Sequence, residues 1–282
     1  MSRSRLPGQQ RPRARAVLGL LAGALVLSGC SRSDLNLGFP EPVTEQADRT
    51  SALWQGSIAA ALIVGVIVSA MILFAAFRYR KRSDELPAQV RYNLPIEVLY
   101  TAVPFVIIAV LFYYTTITQN FVNELTPQDE GGAQVQIGVV GFQWNWTFRY
   151  DDEGVQTTGV PGQEALLVLP TDTTVRFTET SPDVIHSFWV PAFLFKRDVI
   201  PGRANTFEVT INKAGEYVGR CAELCGEKHS AMNFRVRAVP MNEYRSYVAG
   251  LKADPANAIV SEVGTGAVAP PEIEANTPGS SE

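Results

Sequence analysis

The sequence predicts an N-terminal transmembrane α-helical hairpin followed by an all-β barrel or sandwich. Three observations predict it. Two long apolar stretches, residues 53–77 and 94–118, lie close together. A short loop rich in arginine and lysine joins them. Beyond Thr118 the pattern changes to short alternating apolar segments, punctuated by glycine and proline.

The chain opens with Arg3, Arg5, Arg11, Arg13 and Arg15, then an apolar run over residues 16–27, then Ser28, Gly29 and Cys30. That is the shape of a secretory signal, and 12 apolar residues fall short of the ~20 a membrane-crossing helix needs. Leu27-Ser28-Gly29-Cys30 resembles the bacterial lipoprotein lipobox, which implies cleavage before Cys30 and lipid on its sulfur. Residues 1–29 are therefore expected to be a signal peptide of lipoprotein type, with residues 30–52 an external segment.

Residues 53–77 carry no charge in 25 positions and are long enough to span with some tilt. Arg78, Arg80, Lys81, Arg82 and Arg91 follow, and the positive-inside rule puts this 78–93 loop in the cytoplasm. Residues 94–118 form the second predicted span, which Pro104 should kink locally. The hairpin then leaves both its N-terminal segment and everything after Thr118 outside a bacterial plasma membrane. Glu97 is the ionisable residue in the body of the second span. At that depth a carboxylate is either an interfacial side chain or part of a proton or ion path.

Residues 119–250 read as the β-domain. Val135, Ile137 and Val139 share one face; so do Val175 and Phe177, then Phe207, Val209 and Ile211, then Phe234, Val236 and Ala238. Residues 251–282, rich in Ala, Pro, Gly and Glu, lack apolar period and are expected to be a disordered tail. The net charge of −4 hides two opposite parts, since residues 119–282 hold 21 acidic and 12 basic side chains and residues 1–118 hold 7 and 12. An acidic external part does not suit nucleic acid, and would attract a basic protein partner.

The chain has three cysteines and two histidines. Cys221, Cys225, His229 and Met232 fall within twelve residues of one predicted loop, while His186 lies 35 residues before Cys221 in another. Thiolate, imidazole and thioether form a soft donor set suited to copper. A Cys221–Cys225 disulfide would leave both histidines without a role, zinc would leave Met232 without one, and a mononuclear blue-copper site would leave one cysteine over. Two coppers use the whole set: each takes one histidine and shares both bridging thiolates. Met232 fills one weak axial position, and an oxygen such as the main-chain carbonyl of Glu223 fills the other.

These residues also carry a family resemblance. The loop from Arg220 to Met232, the segment Asp183-Val184-Ile185-His186-Ser187-Phe188-Trp189-Val190-Pro191 and Ile200-Pro201-Gly202-Arg203 resemble subunit II of haem-copper cytochrome c oxidases. The resemblance implies a cupredoxin-like β-barrel with a dinuclear CuA centre held by His186, Cys221, Cys225, His229, Met232 and the carbonyl of Glu223. It further implies a magnesium ion bound by the Glu223 carboxylate at the interface with subunit I. Gly141-Phe142-Gln143-Trp144-Asn145-Trp146 looks like the family's aromatic patch, which would make Trp144 the point where the electron enters; Phe142 and Asn145 depart from the commoner pattern. Glu97 aligns with a family glutamate near the mouth of a proton pathway.

On this reading the chain relays electrons from a c-type cytochrome to subunit I, where oxygen is reduced to water with proton translocation, and other oxidase subunits complete the assembly. The donor is a separate chain, because a C-x-x-C-H haem-attachment motif is absent. Nitrous oxide reductase would need a further catalytic domain and no hairpin. A quinol oxidase subunit would lack the copper ligands, and a copper chaperone would need an open site.

Overall fold

The computed structural model describes residues 36, 38–86, 89–127, 132–160 and 162–257. The expected signal peptide, Cys30 and the tail beyond residue 257 lie outside them. From Pro42 onward the chain forms one compact unit.

Helix α1 spans Glu45–Arg78 and helix α2 spans Leu94–Asn123, and both are long and apolar enough to cross a membrane. α1 begins well before the apolar run, so the last residues of the expected external segment are helical. Thr44 is extended and its Oγ1 accepts the Ala47 N–H at 2.9 Å, while Glu45 and Asp48 place negative charge on the first turn. The first turns are held by tertiary contacts that hydropathy does not register. The Thr210 N–H donates to Gln46 Oε1 at 3.2 Å, and Asn212 Nδ2 donates to Asp48 Oδ2 at 2.8 Å. α2 runs on past Thr118 to Asn123 and continues through Pro104.

Ten strands follow: β1 (Val135–Phe142), β2 (Asn145–Tyr150), β3 (Val155–Thr158), β4 (Ala165–Pro170), β5 (Thr174–Thr180), β6 (His186–Val190), β7 (Phe195–Val199), β8 (Asn205–Thr210), β9 (Gly215–Cys221) and β10 (Asn233–Val239). They form two five-stranded sheets, β3-β2-β1-β5-β8 and β4-β10-β9-β6-β7. β1 pairs with β5, and β4 with β10, in parallel; the other pairings are antiparallel. The period-2 faces read from the sequence are the buried ones: Val135, Ile137, Val139, Val175, Phe177, Phe207, Val209, Ile211, Phe234, Val236 and Ala238 all lie in the core.

Between the sheets the core is aromatic. The Phe188 ring stacks on Phe234 at 4.9 Å and Phe177 on Phe207 at 4.9 Å, with Trp146 edge-on to Phe234 at 5.2 Å. Each such ring contributes about 1.5–3 kcal/mol by burial and somewhat more by ring geometry. Gly219 on β9 makes room for this stack, since a Cβ there would run into the Phe234 ring. One inward position breaks the apolar rule: after Val175 and Phe177, β5 turns the carboxyl of Glu179 into the interior.

The ends of the hairpin are tied to the sandwich. Arg176 and Glu208 form an ion pair at 2.5 Å. Glu208 Oε2 also accepts the Thr126 N–H at 3.0 Å, and Arg176 Nη2 donates to the Thr126 carbonyl at 2.6 Å. Arg197 Nη2 on β7 donates to Asn123 Oδ1, at the last residue of α2, at 2.6 Å. At the far end of the chain, helix α3 (Met241–Lys252) buries Tyr244 and Val248 against the sandwich, and a short 3-10 turn follows at Pro255–Asn257. The boundary expected at residue 250 therefore falls inside a helix, whose Met241 and Leu251 also pack against the core.

Candidate metal centre

The site lies where three connections converge at one end of the sandwich. Cys221 closes β9, and the 3-10 turn His229–Ala231 leads through Met232 into β10. The loop is pinned at its base, because the Cys221 N–H donates to the Met232 carbonyl at 3.0 Å and the Ala222 N–H to the Ser187 carbonyl at 3.0 Å. His186 opens β6, and the β6–β9 ladder pairs Phe188 with Cys221. That register carries the distant histidine to the thiols.

Cys221 Sγ and Cys225 Sγ are free thiols 3.8 Å apart. His186 Nδ1 lies 3.9 Å from Cys221 Sγ, and His229 Nδ1 lies 3.6 Å from Cys225 Sγ. The Glu223 carbonyl oxygen is 3.3 Å from Cys221 Sγ, and Met232 Sδ is 3.8 Å from Cys225 Sγ. His186, Cys221 and Cys225 form a buried cluster able to hold a metal ion, with ligand atoms within 4.8 Å of one another. Six donors thus stand in two groups of three, one around each sulfur. The Glu223 carboxylate is exposed.

The electrostatics suit a cation. Burial pushes the Cys221 thiol up, but hydrogen bonds from His186 and from backbone groups outweigh it and pull the thiol down to about 6. Burial and the neighbouring Cys221 push the Cys225 thiol up to about 12. Cys221 is therefore the thiol that its surroundings favour as thiolate, and Cys225 the one they disfavour. Two thiols, two imidazoles, a thioether and a carbonyl form a donor set of the softness copper prefers.

Asp183 orients His186. Its Oδ1 accepts from His186 Nε2 at 2.9 Å, leaving Nδ1 aimed at Cys221. Asp183 also accepts the Gln143 N–H at 2.7 Å and the Val184 N–H at 2.6 Å. Burial raises this carboxyl, but those donors outweigh it and hold it below the usual carboxylate range. Sequence reasoning quoted Asp183 but gave it no role; the D-x-x-H spacing ahead of a metal-binding histidine is the signal that could have found it.

Trp144 and Trp146 are not equivalent. Trp146 lies in the core, while Trp144, in the turn between β1 and β2, is half-buried over the loop. The Trp144 indole N–H donates to the Cys225 carbonyl at 3.2 Å, and Gln143 Nε2 donates to the same oxygen at 2.8 Å. Lys228 Nζ stands 5.8 Å from the centre of the Trp144 ring. Gly226, with φ +119°, brings the loop against this ring, and a side chain there would meet both strain and the indole. Glu97 lies far along the chain from these residues, in the first turn of α2, where its Oε1 accepts the Asn93 N–H at 2.9 Å.

Family models match most of the described chain: the periplasmic domain of cytochrome c oxidase subunit II over residues 135–239, and its transmembrane domain over residues 32–116. A probable cytochrome c oxidase subunit 2 of Streptomyces coelicolor is 42% identical, covering 86% of this chain and 88% of that protein. The cytochrome c oxidase subunit 2 of Mycobacterium tuberculosis is 37% identical, covering 83% of this chain and 79% of that protein. Among solved structures, the periplasmic domain of subunit II of cytochrome oxidase of Bradyrhizobium japonicum is 34% identical, covering 43% of this chain and 95% of that one, with a TM-score of 0.40.

Proposed function

This chain belongs to the cytochrome c oxidase subunit II family, and from that membership we propose that it is the electron-receiving subunit of the oxidase, built around a dinuclear CuA centre. The observation that carries the proposal is the pairing of donors: each thiol has its own imidazole Nδ1 within 3.9 Å and its own weak third donor, with 3.8 Å between the sulfurs. His186, Cys221, Cys225, His229, Met232 and the Glu223 carbonyl would together hold the two coppers, with both thiolates shared.

Two coppers bound there would supply a one-electron relay in which the charge change is spread over two metals and two sulfurs. The chain's own residues keep reorganisation small. Asp183 fixes the His186 ring, the Cys221–Met232 backbone bond closes the loop, and the aromatic core beneath leaves little room for movement. Trp144 is the proposed point of arrival for the electron, because its half-exposed ring is tied through its N–H to the backbone of Cys225.

The donor is proposed to be a c-type cytochrome on a separate chain, and the acceptor the haem-copper subunit I, where oxygen is reduced with proton translocation. The exposed carboxylate of Glu223 is free to contribute to a magnesium site against subunit I. The basic loop between α1 and α2, with Arg78, Arg80, Lys81 and Arg82, supports a cytoplasmic loop and an extracytoplasmic β-domain. For Glu97 the hydrogen bond to Asn93 supports a helix-capping role, and a proton-path role is retained as the second reading. Copper content per chain and the electron paramagnetic spectrum of the purified protein test the centre. Two coppers with a seven-line hyperfine pattern are expected, whereas one copper with a four-line pattern would overturn the proposal.

A further inference from the structure

The interior of the sandwich holds one carboxyl that the metal centre does not use. Glu179 is 0% exposed, and neither of its carboxylate oxygens has a hydrogen-bond partner among the described residues. It occupies the third inward position of β5, after Val175 and Phe177. Its cross-strand neighbours by register are Asn205 on β8 and Val139 on β1, neither of which carries charge. The charges that act on it come from the facing sheet, from Arg197 and Asp198 of β7.

Arg197 is itself divided. One guanidinium nitrogen, Nη2, donates to Asn123 Oδ1 at the end of α2, and the guanidinium carbon lies 5.0 Å over the Phe195 ring. Its Nε is buried and lacks a partner among the described residues. A buried donor without an acceptor and a buried carboxyl without a donor, carried on facing sheets and electrostatically coupled, form an incomplete pair. Leaving such groups unpaired costs free energy, and an ionised carboxyl left so would cost far more. Burial accordingly pushes the Glu179 carboxyl well above the usual range, with Arg197 pulling it partly back and Asp198 pushing it up. Asn205 does not complete the pair: its side-chain amide donates to the Asp198 carbonyl, and neither Glu179 oxygen receives a hydrogen bond from it.

We propose that Glu179 is a proton-binding site inside the sandwich, and that Arg197 reads its occupancy out to the membrane hairpin. With the proton bound, Glu179 is neutral and Arg197 stays with Asn123, tying β7 to the end of α2. When Glu179 gives up its proton to solvent, the new carboxylate competes for the guanidinium through the free Nε, and the tie to Asn123 loosens. No group other than the proton is transferred. The inference does not depend on copper in the centre, since every residue it uses lies outside the six donors.

The test uses the full chain in detergent or lipid nanodiscs, titrated from neutral to alkaline pH. Infrared spectroscopy follows the carbonyl stretch of a protonated carboxyl, and hydrogen exchange, corrected for intrinsic rates, follows residues 119–126. The wild type is expected to show the carboxyl band at neutral pH and to lose it on alkalisation. Exchange at 119–126 should rise several-fold over the same range. Glu179→Gln should lack the band and hold exchange at its neutral-pH level throughout. Arg197→Gln should keep the band to higher pH, because the cation that favours ionisation is gone, and should show fast exchange at every pH. Absence of the band from the wild type at neutral pH, or an exchange profile in Glu179→Gln that still rises with pH, would overturn the proposal.

Discussion

Replacing Asp183 with alanine tests how much of the metal centre is set by a residue that touches no ligand-bearing sulfur. Asp183 accepts hydrogen bonds from Val184 N–H at 2.6 Å, Gln143 N–H at 2.7 Å, His186 Nε2 at 2.9 Å and Ser181 Oγ at 3.1 Å. Asp183 sits at the surface, so water can take over the two backbone donors when the carboxylate is removed. The His186 ring is buried and has no such substitute. Its Nε2–H would be left unpaired, at a cost of about 1–3 kcal/mol, and the tautomer that presents Nδ1 to Cys221 would lose its preference. Loss of a partner that orients a ligand in this way lowers metal affinity by roughly 10–100-fold, or about 1.4–2.7 kcal/mol. Competition titration of copper against a chelator, run on wild type, Asp183→Ala and Asp183→Asn, measures it. The asparagine carbonyl can still accept from Nε2, so Asp183→Asn should fall by less than Asp183→Ala. Equal affinity in Asp183→Ala and wild type would refute the reasoning.

Trp144→Phe keeps the ring but removes the N–H to the Cys225 carbonyl; electron uptake from a reduced c-type cytochrome should slow in stopped-flow measurements while copper content stays at the wild-type level. Gly219→Ala forces the Phe234 ring aside and should lower stability by about 1–3 kcal/mol, read as a drop in the unfolding temperature of the β-domain. Thr44→Ala removes the cap from α1 and should cost about 1 kcal/mol, seen as faster hydrogen exchange in the first turn. The folded chain holds the Glu179 proton more tightly than the unfolded chain does, so this residue's contribution to stability is lost as pH rises above the ordinary glutamate range. Glu179→Leu should therefore be more stable than wild type at alkaline pH, with the advantage shrinking in acid, as thermal melts across pH would show.

The site was legible in the sequence because its chemistry is concentrated. Cysteine and histidine are scarce in this chain, and four side-chain donors fall in one loop, so the rare residue types marked the place and their softness suggested the metal. The strands were legible because Val135, Ile137, Val139 and their counterparts alternate without interruption. The first turns of α1 were not, because Gln46, Ala47 and Ser51 are buried within the protein, where this helix meets β8 and the turn at Pro191–Phe193, and hydropathy does not register such contacts. Helix α3 was not read from the sequence although Met241, Tyr244, Val248 and Leu251 recur at helical spacing and pack against the core; the helix is short and runs directly into the polar tail. Arg197 could not be assigned from spacing, since a base on a polar segment looks the same whether it faces water or braces a buried neighbour.

The loop from Cys221 to Met232 is fastened to itself by the Cys221–Met232 backbone bond, and of the six candidate donors only the His186 imidazole comes from elsewhere in the sandwich. Such a loop behaves as a cassette. Its length and composition can be exchanged by design without disturbing the strands, provided that β6 still begins with an imidazole in register with the end of β9. The strands and the donor loop can therefore be altered largely independently, except at His186, Gln143 and Trp144, where the two are joined.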